Sequence, residues 1–95
     1  MAIWKTKKLK KLARILLNRK TEAEMLSFLR DLCTVEELAE LSNRWEAAKM
    51  IGDGIPYRKI AKETGMSTTT VSRIAHWLNH GEGGYRSALE RMRRR

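Results

Sequence analysis

Residues 57–79 read YRKIAKETGMSTTTVSRIAHWLN, and this stretch decides the fold. Ile60, Met66, Val71 and Ile74 fall at the offsets that two short crossed helices need to bury a common seam. Gly65 supplies the backbone freedom that a tight turn between them requires. Ala61, four residues earlier, is small enough for the second helix to cross the first. Ser67 is a good N-cap, because its hydroxyl can take one of the unpaired N–H groups of a helix start. The stretch therefore predicts a helix-turn-helix, with one helix over residues 57–64 and a second ending near residue 78 or 79. Thr64 departs from the pattern, standing where an apolar residue is more usual.

Once Val71 and Ile74 are assigned inward, Thr68, Thr69, Ser72, Arg73 and His76 must face outward. Short hydroxyl side chains at a helix start, followed by a long cation, suit the major groove. Arginine can grip a guanine there, and threonine can touch a thymine methyl. These five residues are the candidate base readers. Ser67, with the free N–H groups around it, can meet a phosphate. Arg58, Lys59 and Lys62 on the preceding helix are candidate clamps on the DNA backbone.

The rest of the chain also reads as helical. Leu9, Leu12, Ile15 and Leu16 form a stripe on a basic segment, and Thr21–Glu24 has the form of a capping box. Met25, Leu26, Phe28, Leu29 and Leu32 give the apolar face of the helix that follows. A second capping box, Thr34–Glu37, opens a longer helix with Leu38, Leu41, Trp45, Ala48 and Ile51 on one side. Gly52 and Gly54 end it, and Pro56 suits the first turn of the next helix. Residues 79–84 read as a loop and residues 85–92 as a last short helix. The expected class is all-α, with about six helices in a single domain of 95 residues.

Charge is unevenly spread along the chain, whose net value is +9. Residues 1–20 hold eight Lys or Arg and no acid, residues 21–55 have a net of −5, and residues 56–95 a net of +6. Basic ends around an acidic middle point to a polyanionic partner, of which nucleic acid is the commonest. Two other classes share the features: an RNA- or membrane-surface-binding protein working through the basic residues 1–20, and an accessory DNA-binding factor of a recombination system.

Other functions find little support. No apolar run is long enough for a membrane span, and residues 12–17 are too short and too interrupted by Arg14 for a signal segment. Cys33, the single cysteine, cannot form an internal disulfide and fits a reducing cytoplasm as a small apolar helix residue. His76 and His80 share a helix face at a metal-ligand spacing, but the further ligands of a metal site are lacking. There is no phosphate-cradling loop, and the acids sit at helix starts, where capping explains them. No catalysis, cofactor or metal is expected. Trp4, Trp45 and Trp77 read as core or interface anchors, and Tyr85 as part of a connection.

The segments Leu32–Leu38, Tyr57–Gly65, Thr70–Arg73 and Leu78–Gly81 together resemble the Trp-repressor superfamily, in particular its YerC/YecD branch. The resemblance covers about residues 9–92. It implies an interlocked homodimer in which helices before Gly52 and after Gly84 cross the interface. It also implies a transcriptional repressor that reads a palindromic DNA site. In the family two arginines flank a bound amino acid, and Arg44 and Arg73 match those positions, forming a candidate effector pocket. The family pattern then has glycine directly after the second arginine, where this chain has Ile74. The bridge from Gly54 to the reader is also one residue shorter. Tryptophan is therefore not expected as corepressor.

Overall fold

The computed structural model describes residues 3–94. Six helices follow in order: α1 (Lys7–Leu17), α2 (Glu22–Leu32), α3 (Val35–Gly52), α4 (Tyr57–Thr64), α5 (Thr68–His80) and α6 (Gly84–Arg93). There is no strand among the described residues, so the fold is all-α, as read from the sequence. The first two residues of the basic segment 1–11 lie outside the described ones. The chain divides into two compact units, Met1–Leu38 and Ala39–Arg95.

In the first unit the helix starts are set by side-chain caps. Thr6 Oγ1 accepts the Leu9 N–H at 3.1 Å, and Thr21 Oγ1 accepts that of Glu24 at 3.1 Å. The Glu24 carboxylate reaches back to the Lys20 N–H at 3.2 Å, one residue before the position of an ideal capping box. At α3 the box is complete: Thr34 N–H donates to Glu37 Oε1 at 2.8 Å and Glu37 N–H to Thr34 Oγ1 at 3.1 Å. Cys33 is not a helix residue. It is the extended C-cap of α2, and its carbonyl accepts from Arg30 at 3.1 Å. Neither α1 nor α2 buries a single residue. Leu12, Leu16, Phe28 and Leu29 are half-buried, while Leu9, Ile15, Leu26 and Leu32 stay exposed.

The second unit holds the buried core. Ala47, Ala48 and Met50 of α3 pack with Ile60 of α4 and with Val71 and Ile74 of α5. Ile60, Val71 and Ile74 are completely buried, which stabilises the unit by about 1.5–3 kcal/mol each. Of the expected α3 face, Ala48 is buried and Trp45 and Ile51 are half-buried, but Leu41 is exposed. Gly52 is the last residue of α3, and the left-handed turn falls on Gly54, at φ +79°. Pro56 caps α4 rather than opening its first turn.

Gly65 takes φ +74° between α4 and α5, as the turn required. Thr64 also acquires a reason. Its hydroxyl donates to the Ile60 carbonyl at 2.7 Å and accepts the Met66 N–H at 3.3 Å, so a polar side chain fits a half-buried corner. α5 runs to His80, past the expected end, because Gly81 N–H donates to the Trp77 carbonyl at 2.9 Å and Asn79 Nδ2 to that of Ala75 at 3.0 Å. The loop is accordingly shorter than expected. Arg86 holds the corner by donating to Asn79 Oδ1 at 2.9 Å, and Arg93 ties α6 to the Gly52 carbonyl at 3.1 Å.

Candidate nucleic-acid interface

One side of α5 is fixed by burial. Val71, Ile74, Ala75 and Leu78 are buried, and α4 and α6 both pack on this helix. Helical geometry then turns Thr68, Thr69, Ser72, Arg73 and His76 outward, and all five are exposed. Arg73 makes no hydrogen bond or ion pair among the described residues. Ser67 caps the helix by accepting the Thr70 N–H at 3.1 Å, and its hydroxyl lies 3.0 Å from that of Thr70. The Ser67 hydroxyl is thus already engaged in the helix start that the sequence assigned to a phosphate.

Arg58, Lys59 and Lys62 on α4 are exposed as well. Neither α4 nor α5 has an acid in its first turn, and Glu63 is the only acid between Tyr57 and His80. The reader and the helix before it therefore present positive charge and free N–H groups together. His76 and His80 face one way, with ring centroids 5.1 Å apart. Among the described residues no group of three His, Cys, Asp or Glu side chains is placed to hold a metal.

The two arginines of the candidate effector pocket differ in state. Arg44 is half-buried, 3.2 Å from Glu40, and covers the Trp77 ring at 5.6 Å from its centroid. Arg73 is free. A hollow of about 610 Å³ lies instead at the α5–α6 corner, lined by Trp77, His80, Gly81, Glu82, Gly84 and Tyr85, and neither arginine borders it. Sequence reasoning missed this hollow and the role of Tyr85. Tyr85 is not connection geometry but packs on the core and stacks on Trp45, with centroids 6.5 Å apart. The glycines just before Tyr85, at positions 81, 83 and 84, disguised a packed aromatic as part of the connection.

The Trp repressor protein family matches residues 7–93. The chain belongs to the Trp repressor family. It is 41% identical over 87 residues to the protein YerC of Bacillus subtilis (strain 168), covering 92% of this chain and 84% of that protein. It is also similar to the crystal structure of a TrpR like protein from Eubacterium eligens ATCC 27750. That match has a TM-score of 0.87 and 40% identity over 93% of this chain and 91% of the other. A structure from Staphylococcus aureus is 38% identical, again with a TM-score of 0.87, over 95% of this chain and 90% of its own.

These similarities put the protein in the YerC-like branch. As a Trp repressor family member it is a helix-turn-helix DNA-binding regulator, in a family that is regulatory rather than enzymatic. No helix among the described residues is long and apolar enough to cross a membrane.

Proposed function

We propose that this protein is a sequence-specific transcriptional repressor that works in the cytoplasm and reads a palindromic duplex through α5 as a homodimer. The observation that carries the reading is the divided α5. Its buried side locks the helix in place, while Thr68, Thr69, Ser72, Arg73 and His76 stand exposed on the other side. Direct readout needs such side chains on a helix whose orientation is fixed. Arg58, Lys59, Lys62 and the start of α5 at Ser67 contact phosphates and set the register.

The homodimer is supported by the first unit. α1 and α2 have no fully buried residue and carry exposed Leu9, Ile15, Leu26 and Leu32. A second copy would cover these apolar faces, in the interlocked manner of the family, with the whole chain acting as one module. Two copies would hold their reading helices about 34 Å apart, one turn of DNA, which makes the site palindromic. Arg44 and Arg73 remain the candidate effector positions, for an effector other than tryptophan.

Selecting bound duplexes from a random library tests the reading. The expected outcome is a palindromic consensus with half-sites one turn apart. Recovery of duplexes without any consensus would overturn it. Sedimentation at micromolar concentration tests the dimer, and a stable folded monomer would defeat that part.

A further inference from the structure

We infer that the basic face of α1 is a second binding surface for the phosphate backbone of duplex DNA, adding sequence-independent affinity to that of the reader. This rests on the DNA-binding reading above and extends it to a helix outside the helix-turn-helix. Lys7, Lys10, Lys11 and Arg14 are spaced three and four residues apart, so they share one face of α1. All four are exposed, and together they border a hollow of about 320 Å³. None is in an ion pair among the described residues. The half-buried Leu12 and Leu16 lie on the opposite side.

The arrangement opposes what a helix prefers. A helix start carries partial positive charge and favours acids, as α2 shows with Glu22 and Glu24 and α3 with Glu36 and Glu37. α1 has no acid in its first turn and stacks like charges at i,i+3 and i,i+4 spacing. Local rules broken without local compensation mark a function, and a polyanion would relieve both conflicts at once. α4 and α5, the proposed DNA-contacting helices, likewise lack acid in the first turn.

The geometry suits DNA. From Lys7 to Arg14 the helix rises about 10.5 Å, the axial length of about three phosphates on one strand. An anionic membrane is the less favoured partner. A membrane-surface helix turns its apolar face into the bilayer, whereas Leu12 and Leu16, opposite the basic face of α1, are already half-buried within the protein.

The test compares the full chain with the fourfold variant Lys7→Gln, Lys10→Gln, Lys11→Gln, Arg14→Gln on a selected and a scrambled duplex. Both are titrated between about 50 and about 200 mM salt, where four lost phosphate contacts lower the salt slope by up to about 3.6 per chain. Over that interval the wild type should lose up to about 150-fold more affinity per chain than the variant. Both duplexes should weaken alike, and the selected consensus should not change. Lysine-to-arginine replacements at positions 7, 10 and 11 should keep the wild-type slope. Gln relieves like-charge repulsion, so helicity by circular dichroism should not fall.

A folded variant whose slope changes by less than about 1 overturns the inference. So does a variant that binds DNA normally but loses binding to phosphatidylglycerol vesicles, which would assign the face to membranes. A wild type that selects no consensus, yet binds duplex with a slope depending on these four residues, would defeat the reader assignment and leave this inference standing.

Discussion

The guanidinium carbon of Arg44 on α3 lies 5.6 Å from the ring centroid of Trp77 on α5. The same guanidinium reaches Glu40 at 3.2 Å, so the cation is held over the indole by its own helix. The contact ties α3 to the reader helix outside the buried seam. Trp77 is 42% exposed, which keeps the interaction near about 0.5–1 kcal/mol. A double-mutant cycle with Arg44→Met and Trp77→Leu, read by chemical denaturation, should return a coupling of about that size. Coupling indistinguishable from zero would reduce the pair to mere neighbours.

Base readers and phosphate clamps should separate in binding data. Thr69→Ala or Arg73→Ala should reduce discrimination between selected and scrambled duplexes by about 1–3 kcal/mol each. Lys59→Gln and Lys62→Gln should instead weaken all duplexes alike, each lowering the salt slope by about 1. Competition titrations at several salt concentrations measure both effects. If Arg73→Ala selects an unchanged consensus, Arg73 does not read a base.

The α5–α6 corner makes opposite demands on two glycines. A Cβ at Gly81 would collide with the Trp77 carbonyl, which already accepts the Gly81 N–H and cannot shift without opening the last turn of α5. Gly81→Ala should therefore destabilise by about 1–3 kcal/mol, as overpacking does. Gly84 opens α6, and a Cβ there would meet nothing within 4 Å. Gly84→Ala should stabilise by about 0.4–1 kcal/mol, chiefly by restricting the unfolded chain. Thermal melts of the two variants should move in opposite directions; a shared direction would contradict this account of the corner.

What the sequence revealed was what short-range geometry controls. Caps at Thr21 and Thr34, the turn at Gly65 and the seam of Ile60, Val71 and Ile74 are all local patterns, and the structure has each of them. The outward set from Thr68 to His76 followed from helical period alone once that seam was assigned. Features that join distant residues were not legible. Tyr85 on Trp45, Arg44 on Trp77 and Arg93 on Gly52 depend on how helices cross, which no local window contains. Ala47 and Met50 joined the core for the same reason, since they lie off the side that Leu38, Leu41 and Trp45 mark. Cys33 and the end of α5 show the smaller error of placing a boundary where hydrogen bonds, rather than residue type, decide.

Tryptophan should not act as corepressor, although the arginines that flank the amino acid in the family have counterparts here. A ligand ring between Arg44 and Arg73 needs an empty slot beside α5, and two side chains argue against one. Ile74, standing where the family pattern has glycine, is fully buried among Val71, Ile60 and the alanines of α3. Turning it aside to admit an indole would break that seam, with an overpacking cost of about 1–3 kcal/mol, enough to reduce affinity by about fivefold to about 150-fold. Arg44 meanwhile already covers an indole, that of Trp77, and holds Glu40. A bound tryptophan would have to displace a partner that is covalently present and always at hand. DNA binding should thus be complete without tryptophan. Calorimetric titration of tryptophan into the protein should show no heat of specific binding, and the affinity for a selected duplex should be the same with and without it. Micromolar affinity together with tighter duplex binding would sink the prediction. Restoring the family residue gives the complementary test: Ile74→Gly with Trp77→Ala should cost stability, and only a variant so opened should gain measurable tryptophan binding.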